Sequence, residues 1–155
     1  MIQRIQSLYL SLTAVLSFLF HNVSFLNFID RSGSLIKVTF AQFIRETSTG
    51  EYELLGNTYI LSIFILIIPI LSVVTIVLYK KRSIQMMLVK FIIILVVGFI
   101  IVSGLYAYKI MTKYDSDILP GIRMIIPFLQ LIFSVLAYRG IRKDDDLVKS
   151  YDRLR

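Results

Sequence analysis

The chain has 155 residues, is 57% hydrophobic and 17% charged, and carries a mean hydropathy of +0.78 and a formal net charge of +7. A soluble domain is about one-quarter charged, so these values exclude an ordinary water-soluble globule and leave no room for a second, polar domain. Cysteine is absent, which removes disulfide frameworks, thiolate metal sites and thiol exchange from the accessible chemistry.

Four apolar segments dominate. The first, Ile5 to Ile29, contains no Asp, Glu, Lys or Arg. A helix of about 20 mostly apolar residues crosses ~30 Å of hydrocarbon, so a first span is expected at residues 5–28. The run is too long for the core of a secretory signal, and no small-x-small cleavage pattern closes it, so an uncleaved anchor is expected. Gln3, Ser7, Ser11, Ala14, Ser17 or Phe18, and His21 recur at three- and four-residue intervals. That spacing places small and polar groups on one face, suited to packing on protein more than on lipid. The connection at 30–53 follows. Ser34 to Phe43 is rich in apolar and branched residues, Ser48-Thr49-Gly50 reads as a turn, and Glu51 to Leu55 returns. A small hairpin or loop cap is expected there, with a surface-lying amphipathic helix as the competing reading.

The second span is expected at 56–79 within the uncharged run Leu54 to Tyr79, bent at Pro69, with Ser72 or Thr75 satisfying nearby backbone groups. A basic connection at 80–90 opens with Lys80-Lys81-Arg82. The third span is expected at 86–108, with Gly98, Ser103, Gly104 and Ala107 as a seam of small residues. The fourth is expected at 119–138. It holds one full charge, Arg123, on a stripe shared with Pro127, Gln130, Ser134 and Ala137. An unpartnered amide is costly in hydrocarbon, so Gln130 should meet a polar group on another helix, and the stripe of span one is the natural partner. Arg123 lies about one turn inside the outer boundary, where its head group reaches water; contact with an anion, a lipid or a subunit is the alternative. Tyr59, Tyr106 and Tyr108 fall at outer ends and Tyr79 and Tyr138 at inner ones, the levels that amphipathic rings favour.

The tail at 139–155 reads as a separate short amphipathic helix. Asp144, Asp145 and Asp146 suit a helix start, Leu147, Val148, Tyr151 and Leu154 line one face, and Asp145 with Lys149 forms a four-apart pair. Arg142, Lys143, Asp144, Asp145, Asp146, Lys149, Asp152 and Arg153, together with Arg123, Gln130 and Ser134, are the candidate partner- or lipid-contact residues.

Charge orients the chain. Arg4, Lys80, Lys81, Arg82, Lys90, Arg139, Arg142, Lys143, Lys149, Arg153 and Arg155 lie on one side, against Arg31, Lys37, Arg45, Lys109, Lys113 and Arg123 on the other. Both termini and the middle loop are therefore expected in the cytoplasm. Because the basic residues sit at the ends of apolar segments and not on a folded polar surface, nucleic acid is not an expected partner. His21 is the only histidine, so no histidine-based metal cluster is possible, and no second acidic motif faces Asp144-Asp145-Asp146 to hold a cation with it. No nucleophile, base and orienting group assemble, and no span carries the Asp or Glu that ion-coupled carriers use. Neither catalytic residues nor a cofactor are expected.

The start Met1-Ile2-Gln3-Arg4-Ile5-Gln6-Ser7, the basic middle loop, and the ending Ile141-Arg142-Lys143-Asp144-Asp145-Asp146-Leu147-Val148-Lys149-Ser150-Tyr151-Asp152-Arg153-Leu154-Arg155 resemble a DUF4293-like, uncharacterised family of small four-span inner-membrane proteins of Bacteroidota. Tyr151 stands where that family often has alanine. The resemblance implies a location, the bacterial inner membrane, and no activity. The expected fold is an all-α membrane protein, an antiparallel four-transmembrane-helix bundle with both termini inside. The expected role is a non-enzymatic accessory, structural or assembly subunit of a larger inner-membrane complex, such as respiratory, secretion or translocation machinery. In that role the small helix faces pack on partner subunits and on membrane lipids, and the charged tail docks. A small oligomeric transporter or channel is the alternative, and a lipid-acting enzyme the third reading.

Overall fold

The structure, a computed structural model, describes residues 3–19, 24–39, 41–47, 50–79 and 81–153. His21 and Lys80 lie outside these residues, as do the side chains of Lys149, Asp152 and Arg153. In chain order the elements are α1 (Gln3–Phe18), β1 (Leu26–Asp30), β2 (Leu35–Val38), β3 (Gln42–Glu46), β4 (Tyr52–Asn57), α2 (Tyr59–Val77), α3 (Arg82–Tyr114), β5 (Ser116–Leu119), a 3-10 turn (Ile122–Ile125) and α4 (Ile126–Arg153).

The expectation of an all-α bundle is overturned by a five-stranded antiparallel sheet of order β4-β3-β2-β1-β5, so the fold is mixed α/β. Two misread segments account for the difference. Residues 24–30 carry no full charge before Asp30 and so look like the end of span one. Yet Phe25, Leu26, Phe28 and Ile29 favour a pleated surface, and β1 pairs with both β2 and β5. Helix α1 therefore stops at Phe18, and its 16 residues reach only about 24 Å. The second segment is Ile118-Leu119, taken for the start of span four. It belongs to the edge strand β5, released from α3 by a left-handed Asp115 (φ 48°) and followed by the Pro120-Gly121 break. The hairpin expected within 34–55 is one side of this larger sheet, ending in edge strand β4: β3 turns back into β4 through Thr47 and Gly50, whose φ is +82°.

Each helix packs on its chain neighbour and α4 closes against α1. The α1, α2, α3 and α4 ends that lie near Gln6, Thr75, Gln85 and Asp144 form one end of the molecule, so both described termini share it, and the sheet covers the other. Below the sheet, Phe28, Ile36 and Val38 pack on Leu61 and Ile65 of α2 and on Phe99, Ala107 and Ile110 of α3. A second core of Leu10, Ile68, Val89, Ile92, Val96, Ala137 and Ile141 joins the four helices at the basic end.

Three helical stretches, Tyr59–Val77, Arg82–Tyr114 and Ile122–Val148, are long and apolar enough to cross a membrane, and Ile5–Phe18 is a shorter apolar helix. Only 22% of the most apolar window of α3 is buried within the molecule, so its Ile, Leu and Val side chains need hydrocarbon around them. The chain is a membrane protein. Pro69 sits inside α2 without ending it, and the Ser72 and Thr75 hydroxyls bond the carbonyls of Ile68 (2.9 Å) and Leu71 (2.6 Å) on the same stretch. Helix α4 runs without interruption from Ile126 to Arg153, so the tail is the last four turns of the fourth helix and not a separate one. The run of three aspartates thus lies in a helix interior.

Candidate functional site

Three places concentrate polar groups. The first is the basic end, where three helices meet around Asp144. Gln6 Nε2 of α1 donates to Asp144 Oδ2 at 2.5 Å, and Arg82 Nη1, at the start of α3, donates to the Asp144 carbonyl at 3.1 Å. Gln85 Nε2 donates to the Thr75 carbonyl at 3.2 Å, fastening α3 to the end of α2. Asp144 is only 8% exposed, and Gln6 and Gln85 are likewise buried. Gly140 is part of this arrangement: a Cβ there would stand 2.8 Å from Gln6 Cγ. Close approach of α1 and α4 depends on the missing side chain. Nearby, Lys90 Nζ lies 5.6 Å from the centre of the Tyr138 ring, linking α3 to α4.

The second place is the seam between α1 and α4. Gln130 Nε2 donates to Ser17 Oγ at 2.8 Å and to the Thr13 carbonyl at 3.4 Å, Ser17 Oγ donates on to the Thr13 carbonyl, and Ser134 Oγ donates to the Gln130 carbonyl. Gln130 is 1% exposed and Thr13, Ser17 and Ser134 are buried with it. The face of α1 that meets Gln130 thus holds Thr13 and Ser17; of the stripe expected from spacing, Ala14 and Ser17 are buried, whereas Ser11 is exposed. A buried amide in an apolar setting is held by whichever hydroxyls and carbonyls it can reach, and these satisfy it locally.

The third is the sheet. Alternation along the strands puts Arg45 on the side facing the helices, where Nη2 meets Asp30 Oδ2 at 3.1 Å, Nη1 lies 3.7 Å from Glu53 Oε2, and the guanidinium sits 5.2 Å from the Tyr114 ring centre. The opposite side is different. By register it presents Ile29, Leu35, Ile44, Tyr52, Leu54 and Leu119 around a Lys37–Glu46 ion pair. Tyr52 is 68% and Leu54 59% exposed. The hydrogen bond from Lys37 holds the Glu46 carboxyl below its ordinary range; burial opposes it less strongly, and the Lys37 charge adds a smaller lowering effect.

The candidates named from sequence are thus dispersed. Gln130 and Ser134 lie in the seam, and Asp144 is a buried helix fastener. Arg142 and Asp146 form an exposed i,i+4 pair at 4.0 Å, beside exposed Lys143 and half-buried Asp145. Arg123 sits apart at the sheet end, where Nη1 donates to the Ser24 carbonyl at 3.0 Å. Lys149, Asp152 and Arg153 are placed only as helical backbone of α4. Sequence reasoning missed Gln6, Gln85 and Arg45. The first two carried a signal, each being an isolated amide inside or beside an apolar run; Arg45 carried none, because its inward direction depends on strand register.

Chemically these groups fasten the fold. Among the described residues no three of His, Asp or Glu gather to hold a metal ion. No curated protein matches the chain. Residues 2–154 match the family model described as Domain of unknown function (DUF4293), and with nearly its whole length covered, the chain belongs to that family.

Proposed function

We propose that the protein is a non-enzymatic accessory or assembly subunit of a larger bacterial inner-membrane complex, and that its sheet is the docking platform. The observation that carries this reading is the outer face of the sheet. Ile29, Tyr52, Leu54 and Leu119 are exposed there, beyond the helices that lipid covers, and an apolar face in water marks a surface built for another protein. The small and polar faces of α1 and α4 are less available, since they are spent on each other. In the arrangement we infer, α1 crosses as a fourth, shorter span packed between α2 and α4. The basic end with both termini is cytoplasmic, as the excess of Lys and Arg favours. The sheet then lies on the opposite side of the membrane, and exposed Arg142, Lys143 and Asp146 offer a second, cytoplasmic contact.

The transporter and lipid-enzyme readings find less support, because the intramembrane amide and hydroxyls bond one another in a closed seam. The test is purification of the tagged chain from its native membrane in mild detergent, beside a Leu54→Asp variant. Foreign subunits in fixed ratio with the wild type, lost with Leu54→Asp while the variant still inserts, are expected. A pure homo-oligomer, or a partner retained by the variant, refutes the docking reading.

A further inference from the structure

Beneath the sheet, between the outer part of α3 and the start of α4, lies a crevice of ≈ 260 Å³ lined by Leu26, Ile100, Gly104, Ala107, Met124 and Phe128. Its wall also holds Ser103, whose hydroxyl is turned back to the Phe99 carbonyl, so it presents carbon to the slot. Gly104 gives the crevice its depth: a Cβ there would meet nothing within 4 Å. The surrounding surface is apolar and outward-facing, with Ile101, Leu105, Ile125 and Phe128 all exposed. Only hydrocarbon solvates such a surface favourably, and the volume lies just under the ~300–1,000 Å³ of sites for compact ligands, which suits a narrow chain.

One cation marks the rim. Arg123 is exposed, its Nη1 bonded to the carbonyl of Ser24, and Ser24 immediately precedes Phe25 of the crevice wall. Helix α3 overshoots the first residue of α2 by about three turns, since Phe64 of α2 meets Phe99 of α3. The crevice at residues 100–107 therefore sits at the level where hydrocarbon gives way to head groups. A dry slot with a guanidinium at its polar mouth fits an amphiphile whose tail enters and whose phosphate pairs with arginine.

We infer that the crevice binds one acyl chain of an anionic glycerophospholipid, with the lipid phosphate at Arg123. This does not depend on the docking reading of the sheet.

The test places the full chain in nanodiscs of phosphatidylcholine doped with a diazirine-tailed phosphatidylglycerol, and maps photo-adducts by mass spectrometry. Adducts concentrated on Gly104–Ala107, Met124 and Phe128 are expected, falling severalfold in Gly104→Phe, which fills the slot. Circular dichroism and elution volume check that this variant folds. Arg123→Gln, at an exposed position, supplies the second reading: the labelling of these residues by the phosphatidylglycerol probe relative to a matched phosphatidylcholine probe should fall severalfold. Adducts spread evenly along α2, α3 and α4, labelling unchanged in folded Gly104→Phe, or an unchanged lipid preference in Arg123→Gln would each overturn the proposal.

Discussion

Alanine at Asp144 should loosen α1 from α4, leaving the Arg82 bond to the Asp144 backbone carbonyl in place, while alanine two positions later should not. The Gln6–Asp144 bond is charge-assisted and nearly dry, a class worth about 1.5–3 kcal/mol, and its loss strands the Gln6 amide at 4% exposure, a penalty of about 1–3 kcal/mol that overlaps with the first. A loss of about 3 kcal/mol is a large share of the ~5–15 kcal/mol that holds a typical domain. Asp146 is the internal control. It pairs with Arg142 at 4.0 Å with both side chains about two-thirds exposed, so alanine there should cost about 0.5 kcal/mol or less. Both substitutions replace an aspartate in the interior of α4 by the better helix former, so that gain is common to the pair. Asp144→Asn keeps an acceptor oxygen for Gln6 and should recover most of the loss. The measurement is equilibrium unfolding in mixed dodecyl maltoside and sodium dodecyl sulfate micelles. If Asp144→Ala and Asp146→Ala shift the midpoint equally, Asp144 is not a fastener and the convergence of helices at the basic end is wrong.

Gln130→Leu should cost about 1 kcal/mol, the worth of an interhelical hydrogen bond in a bilayer, whereas Gln130→Ala, which also opens a void in a packed seam, should cost about 2–4 kcal/mol in the same unfolding assay. Gly140→Ala drives a Cβ against Gln6 Cγ and should be destabilising by about 1–3 kcal/mol despite alanine's helix preference; in a double-mutant cycle with Asp144→Ala the two losses should fall short of additive, and additivity would show that Gly140 does not act through Gln6. Arg45→Met leaves Asp30 without its cation and should accelerate hydrogen exchange in β1–β4 while leaving the exchange of α2 unchanged. The Lys37–Glu46 pair carries a pH signature. Because the folded carboxyl is depressed, its contribution is complete above the ordinary value of 4.5 and disappears as pH falls through the lower folded value. A carboxyl-carbon NMR titration should show Glu46 below 4.5 in the native chain and higher in Lys37→Met.

Hydropathy made the long spans readable because α2 and α3 are uninterrupted apolar runs with charge at their ends, and that pattern has few alternative explanations in water. The same property hid the sheet. Residues 24–30 and 116–119 contain apolar runs too short for periodicity to separate strand from helix, and their pairing partners lie far along the chain: Phe28 pairs with Ile118 across 90 positions. The Gln130 contact was legible because a buried amide requires a partner and only span one offered a polar stripe. The difference between Asp144 and its two neighbours was not, since three identical residues in a row differ only in helical phase, and phase depends on α4 continuing unbroken from the membrane. The crevice was hidden for another reason: it belongs to no single element, and Gly104 counted in the sequence as one more small residue for tight helix contact.

The length of α3 has a consequence for the whole molecule. Its 33 residues make a post about 50 Å tall, taller than ~30 Å of oil, and the strands lean on its upper third through Ala107 and Ile110. That post sets the altitude and azimuth of everything mounted on it. One inserted residue would hoist the strands by ~1.5 Å and swivel them by ~100° about the shaft.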